Sequence, residues 1–443
     1  MTISMDDTPW SRDEAVADKR LGAEQIKILA LASLGSILEF LEYNVFIFLS
    51  PIIGALFFPP DIPPTIRTIQ VMSVFAIGYL GRPIGGVLLG ILGDRFGRKR
   101  TFGLSVLLIA AATLSIGLLP TFATVGVWAP VLLLLCRLLQ GFSLGGELPG
   151  ALIFAGESVP QKRFGFIAGV LTATFSLGSL LGALIVIALE NSISHHDLES
   201  YGWRLPFLLA GLFGLVSYYL RRYTRETEVF RELERRGALS RGLTLKVIFQ
   251  RYKMRAVYCV LIALIIGIIT NSTVLYPLSY FVSQLHMDVK TVHAAQLVSL
   301  VANGLGCVIV GFASVRFGIV GIAALATVAL AAAMFWFYQG IPDGPGLALR
   351  WGLVQFLCAP LTILPLYVIP QMFPPQTRLT GFALTFGFGL VLSSITPVIL
   401  PIIGQYSSYF LSAYPVVFAV VSVVSAFLAT ARLRPLEDIR ETV

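Results

Sequence analysis

Twelve runs of apolar residues, separated by short polar connections, divide the chain. They fall at roughly 26–50, 68–92, 101–119, 126–155, 165–189 and 203–220. After a charged stretch at 221–256 they resume at 257–284, 293–314, 319–338, 348–372, 380–404 and 410–431. A helix crosses a bilayer with about 20 apolar residues, so twelve crossings use about 240 and leave about 200 for loops and tails. The pattern predicts an all-α membrane protein with twelve transmembrane helices. Its expected organisation is a tail at 1–25, a six-helix bundle at 26–220, a linker at 221–256, a second bundle at 257–431 and a tail at 432–443. The first tail is polar and mixed in charge and lacks the short apolar core and cleavage site of a signal peptide.

Composition agrees with this pattern. Of 443 residues, 56% are hydrophobic and 13% charged, against about 25% charged in a soluble chain. Orientation follows from the basic residues. With both termini in the cytoplasm, 26 of the 32 Lys and Arg lie inside, and only Arg67, Arg204, Lys290 and Arg350 lie outside. Such a split gives the positive-inside orientation. The net charge of +8 is therefore used for topology, and no nucleic-acid partner is expected. Cys136, Cys259, Cys307 and Cys358 all lie in apolar stretches, with no CxxC or disulfide spacing. The histidines have no metal-ligand spacing, so neither metal nor cofactor is expected.

The chain repeats itself. Gly90-x-x-Gly93-Asp94-Arg95-Phe96-Gly97 is echoed by Gly311-x-x-Ser314-Val315-Arg316-Phe317-Gly318, an offset of 221 residues, about half the length. Pro160-Gln161-Lys162-Arg163 is echoed by Pro375-Gln376-Thr377-Arg378. Within the first loop, glycines permit a tight turn, and Arg95, Arg98 and the following basic residues hold it inside. Asp94 gains nothing from that sorting. It is placed to accept hydrogen bonds from the N-terminus of a facing helix and latch one conformation. The linker reads as a surface helix carrying Glu and Arg at helical spacing, chiefly a solvated tether between the halves. Trp128, Trp203, Trp336 and Trp351 lie near span ends and read as interfacial anchors.

The run from Gly90 to Arg100 (GILGDRFGRKR) resembles the loop signature of the major facilitator superfamily, and Arg137-Leu138-Leu139-Gln140-Gly141 resembles its fourth-helix R-x-x-Q-G motif. Further matches narrow the resemblance to the metabolite:proton symporter branch, which includes transporters of 2-oxoglutarate, citrate, shikimate and proline/betaine. They are Glu39-Phe40-Leu41-Glu42-Tyr43, Gly81 through Gly86 (GRPIGG), and Arg137 through Gly146 with Glu147. Glu157, Arg163, Tyr201 through Phe207 and Phe373 through Gly381 continue them. The resemblance spans nearly the whole chain and is densest in its first half. It implies a major facilitator fold of two six-helix pseudo-repeats. A conformational gate is expected at Asp94, Arg95, Gly97, Arg98, Glu147, Glu157 and Arg163. The alternatives are a cytoplasm-facing helix-end acid for Glu147 and a loop anchor for Glu157 and Arg163. In the second half the loop lacks the acid, with Val315 in its place.

The charges within the spans are the other informative set. Glu39 and Glu42 fall in the first, Arg82 in the second and Arg137 in the fourth. Each costs about 2.5–3.5 kcal/mol to insert, so the four unpaired imply roughly 10–14 kcal/mol. They are expected to pair or to line a hydrated cavity, and function is favoured over a static lock. Three residues apart, Glu39 and Glu42 share a helical face, where two carboxylates resist simultaneous ionisation. Together with Arg137 they are the expected proton-coupling group. Substrate contacts are expected from Arg82, Arg137 and Gln140, and from the neutral second-half residues Asn271, Tyr276 and Gln355. In this superfamily the seventh helix, which carries Asn271 and Tyr276, faces the cavity.

No phosphate-binding G-x-x-x-x-G-K-[ST], no H-E-x-x-H and no G-x-S-x-G is present, which argues against ATP hydrolysis and against an enzyme. The expectation is a proton-driven importer of a small organic acid, zwitterion or carboxylate-type metal chelate, working by alternating access in a bacterial inner membrane. Its partners would be substrate, protons and lipid, and its unit a monomer. An antiporter or exporter on the same scaffold and a non-transporting ligand sensor are the alternatives.

Overall fold

The computed structural model describes residues 22–160, 163–239, 244–339 and 344–432. Nearly all of both expected tails lies outside them. Twelve helices are long and apolar enough to cross a membrane. In chain order they are α1 (Ala23–Phe48), α2 (Ile69–Phe96), α3 (Arg98–Leu118), α4 (Trp128–Gly156), α5 (Phe164–Ser192) and α6 (Leu198–Arg221). The second six are α7 (Lys253–Val282), α8 (Val289–Phe317), α9 (Ile319–Tyr338), α10 (Gly346–Met372), α11 (Arg378–Gly404) and α12 (Ser408–Ala431). No strand occurs among the described residues. Consecutive spans alternate in direction, so the α2–α3, α4–α5, α8–α9 and α10–α11 connections share one face with the linker. We call it the linker face.

Each half packs as a bundle. In the first, α1 lies against α5 and α6, α2 against α4, and α3 against α4 and α6. In the second, α7 packs on α11 and α12, α8 on α10, and α9 on α10 and α12. The halves meet along α2–α11 and α5–α8. Small residues set the closest approaches: a Cβ at Gly85 would overlap the Phe142 carbonyl, and one at Gly141 would overlap the Gly78 carbonyl. Membrane helices associate by such close backbone contact, because lipid offers no hydrophobic drive between them.

The internal echo is a structural one. A single residue joins α2 to α3 and another joins α8 to α9: Gly97 at φ 113° and Gly318 at φ 73°. Only glycine takes these left-handed values without strain.

Two features depart from expectation. Trp128 (68% exposed) and Trp336 (41%) face outward as anchors do, but Trp203 and Trp351 are fully buried. Trp203 packs edge-on against Phe57, and Trp351 donates its indole N–H to the Thr273 carbonyl at 2.6 Å. These two rings are part of the core and do not anchor the protein at the interface. In addition, α7 widens into a π-turn at Thr270–Leu275, and a second, Tyr280–Gln284, runs past its end. The carbonyls so displaced need partners inside the membrane. The Ser272 carbonyl accepts from the Tyr338 hydroxyl at 3.1 Å, and that of Thr273 accepts also from the Gln355 amide at 2.9 Å.

Candidate transport site

The intramembrane charges converge in the first half as two ion pairs. Glu39 lies 3.2 Å from Arg82, and Glu42 lies 2.9 Å from Arg137. All four side chains are buried. Arg137 thus pairs with Glu42, not with Glu39. Each guanidinium also covers a ring, Arg82 over Tyr79 at 4.6 Å and Arg137 over Phe46 at 3.5 Å. Gln140 accepts from Arg137 at 2.8 Å and donates to the Thr113 hydroxyl at 2.8 Å, which fixes both the amide and the guanidinium. The four charges, with Tyr43, Tyr79 and Gln140, line one small cavity, with room for about two or three water molecules. Oε2 of Glu39 is buried and has no hydrogen-bond partner among the described residues. Pairing offsets much of the insertion cost, but removing either partner leaves a bare charge in a medium that solvates it poorly.

A second cluster lies on the linker face, where the halves meet. Asp94 accepts from the backbone N–H of Leu379 (3.3 Å) and Thr380 (2.9 Å) and from the Thr380 hydroxyl (2.6 Å), all in the first turn of α11. A carboxylate there meets unsatisfied N–H groups and the positive end of the helix dipole. Arg98 pairs with Asp94 at 2.9 Å and donates to the Pro375 carbonyl at 2.6 Å. Glu157 ends α4 and pairs with Arg378 at 3.3 Å, across the halves. Gly97 supplies the turn that brings Asp94 and Arg98 together. Arg95 is exposed, and Arg163 is half-buried just before α5.

The linker docks onto this cluster. Its Thr227 hydroxyl donates to Glu157 at 2.8 Å, and both carboxylate oxygens of Glu226 lie 3.2 Å from the Lys99 backbone N–H at the start of α3. Burial holds the Glu226 carboxyl above the usual carboxylate range, against the pull of the N–H groups it accepts from.

The remaining predicted residues lie elsewhere. Glu147 is inside the first bundle, paired with Arg221 at 2.9 Å, and its described contacts involve no residue of the second half. In the second half Tyr276 is buried and packs against Tyr280, whereas Asn271 is half-buried and donates to the Gly267 carbonyl one turn back. Gln355 donates its amide to the π-turn of α7, to both the carbonyl and the hydroxyl of Thr273.

Sequence reasoning missed Arg221, Arg378, Thr380 and the docked linker residues. A signal existed for Arg378, which belongs to the repeated Pro-Gln-x-Arg echo.

The description "Major Facilitator Superfamily" belongs to the family model that matches residues 32–361. The chain is 30% identical over 393 residues to the proline/betaine transporter of Salmonella typhimurium, covering 84% of this chain and 76% of that protein. It is 29% identical over 434 residues to the glycine betaine/proline/ectoine/pipecolic acid transporter OusA of Dickeya dadantii, covering 93% and 84%. Among solved structures, the proton:xylose symporter XylE bound to 6-bromo-6-deoxy-D-glucose matches with a TM-score of 0.74 at 15% identity, over 93% of this chain and 96% of that one. A likeness at that identity speaks for the fold. Twelve spans in two bundles, the Asp94 turn and these matches together place the chain in the major facilitator superfamily, as a multi-pass membrane transporter and not an enzyme.

Proposed function

We propose that the chain imports a small carboxylate-bearing solute together with a proton, by alternating access across a bacterial inner membrane. One observation carries this reading: two buried ion pairs, Glu39–Arg82 and Glu42–Arg137, line a single cavity. A substrate carboxylate entering that cavity offers a guanidinium a second anion and so loosens its hold on the resident glutamate. A glutamate released in a poorly solvated site is neutralised most cheaply by a proton. For an anionic substrate with one carboxylate, one proton leaves the net charge of the cavity unchanged; a zwitterion brings its own cationic end in addition. Substrate and proton therefore favour each other's binding, which is the requirement for symport.

Zwitterions of the proline and betaine type are the first candidates, given the relatives above. The carboxylate would meet Arg82 or Arg137, and the cationic end would meet the ring faces of Tyr43 and Tyr79. With the linker face in the cytoplasm, as the distribution of basic residues favours, the Asp94 and Glu157 contacts close the cytoplasmic side of the path. One chain supplies both halves of that path, so a monomer suffices.

Uptake by proteoliposomes under an acid-outside pH gradient tests the reading, with labelled proline, glycine betaine and 2-oxoglutarate as probes. Accumulation accompanied by proton entry is expected for at least one probe. Glu39→Gln should abolish accumulation while sparing exchange. Undiminished pH-driven uptake by that variant rejects its role in coupling. Substrate leaving as protons enter would instead support the antiporter reading.

A further inference from the structure

Inside the first half lies a carboxylate that the transport cavity does not use. Glu147 of α4 and Arg221 at the end of α6 are 2.9 Å apart, 0% and 1% exposed. The Ser105 hydroxyl of α3 donates to Glu147 at 2.5 Å. Arg221 also donates to the Phe102 carbonyl (3.0 Å) and the Leu31 carbonyl (2.9 Å) and lies over the Phe102 ring. From α1, the backbone of Gly35 passes so close that a Cβ there would collide with both members of the pair. These groups surround the carboxylate entirely, and all belong to the first half.

A buried ion pair is a poor way to hold helices together. Apolar replacements of similar volume are often neutral or stabilising. The surroundings suggest a different use. Gly35 and Glu42 are seven residues apart on α1, roughly 10 Å along the helix axis. Both border a narrow void between α1, α3 and α6, which Thr113 also lines. The void has room for roughly one water molecule, and the Glu42 carboxylate and Thr113 hydroxyl provide polar partners for it. Next to Gly35 in the chain, and one turn before Arg221, stand Ser36 and Ser217. They are 0% and 1% exposed, with no hydrogen-bond partner among the described residues. An unpaired buried hydroxyl forfeits the hydrogen bonds it would make in water. Both serines belong to the helix turns that hold the Glu147–Arg221 pair, and hydroxyls can both give and take a proton.

We propose that Glu147 is a second, internal station for the transported proton, reached from Glu42 through the interior of the first half. Proton and cargo then separate inside the protein, the cargo staying between the halves. The inference rests on the proton-coupled reading above. In the step itself, the Glu42 carboxylic acid passes its proton to the hydroxyl and water chain, and the chain delivers a proton to the Glu147 carboxylate. Glu42 becomes an anion again beside Arg137, Glu147 becomes neutral, and Arg221 keeps its charge and its two carbonyl partners. One proton moves and no net charge is created.

The test uses full-length protein in proteoliposomes with labelled glycine betaine and proline, comparing wild type, Glu147→Gln and the double variant Ser36→Ala/Ser217→Ala. Two quantities are read: exchange at equal pH, and accumulation with lumenal acidification under a pH gradient. For Glu147→Gln, exchange should persist while the accumulation ratio falls to one. The double variant removes only unpaired hydroxyls, so a purely structural role predicts an unchanged or higher melting temperature and full coupling. The relay predicts that stability with slowed acidification, and this arm stands even if Glu147→Gln does not fold. Full accumulation in either variant overturns the proposal. Parallel loss of exchange and accumulation in Glu147→Gln also overturns it, by identifying a structural pair. Wild type that moves no protons with either probe removes the proton-coupled reading, and the relay with it.

Discussion

At the scale of single residues, the burial of Arg137 decides what its loss costs. Its guanidinium holds Glu42 at 2.9 Å, with both groups out of water. Arg137→Ala strands that carboxylate, and breaking a buried pair in this way costs about 3–5 kcal/mol. We expect a lower melting temperature and no substrate-induced shift in it. Adding Glu42→Gln should restore the melting temperature but not the shift. If the single variant melts normally and still responds to substrate, Arg137 is not a ligand. The identity of the buried charges was readable from the sequence, because four ionisable residues in apolar runs have few explanations. Their pairing was not readable, since helix rotation about its axis decides which charges meet. Arg221 and Arg378 escaped notice for a related reason. Basic residues at span ends satisfy the positive-inside rule, and that explanation hides any that turn inward.

At the scale of elements, the twelve spans were legible because an apolar run of bilayer length has one stable solution in lipid. The π-turns of α7 and the burial of Trp203 and Trp351 were not, as both depend on what neighbouring helices present. Helix starts are more local. α8 begins at Val289 with Asp288 as its cap, which accepts from the Thr291 backbone N–H at 2.9 Å and from its hydroxyl at 3.0 Å. The N–H of Thr291, then its hydroxyl, hold the Asp288 carboxyl below its ordinary range. A depressed folded-state value means that the cap contributes fully above the ordinary carboxylate pKa and is lost as pH falls through the depressed one. Asp288→Ala should therefore lower the melting temperature at neutral pH, with the difference from wild type closing on acidification. A difference independent of pH would show that the charge of the cap is irrelevant.

At the scale of the whole molecule, Asp94, Arg98, Glu157 and Arg378 close the linker face by joining the end of α2 and of α4 to the start of α11. Asp94→Asn keeps a hydrogen-bond acceptor but loses the charge that faces Arg98 and the α11 N-terminus. Spin labels at the exposed positions Arg100 and Arg316, one in each half, should report longer distances in this variant, with slowed turnover and a nearly unchanged melting temperature. An unaltered distance distribution would show that the closed face is held by helix packing alone.

Among the described residues, charged side chains buried within the spans occur in α1, α2, α4 and α6 and, as Arg98, at the start of α3, whereas α7 to α12 offer neutral groups and, at the start of α11, Arg378. The proposed engine and the proposed grip on a carboxylate therefore both sit in the first half. A hybrid that joins residues 22–256 to the last six helices of a relative would keep this protein's engine together with its appetite for carboxylates.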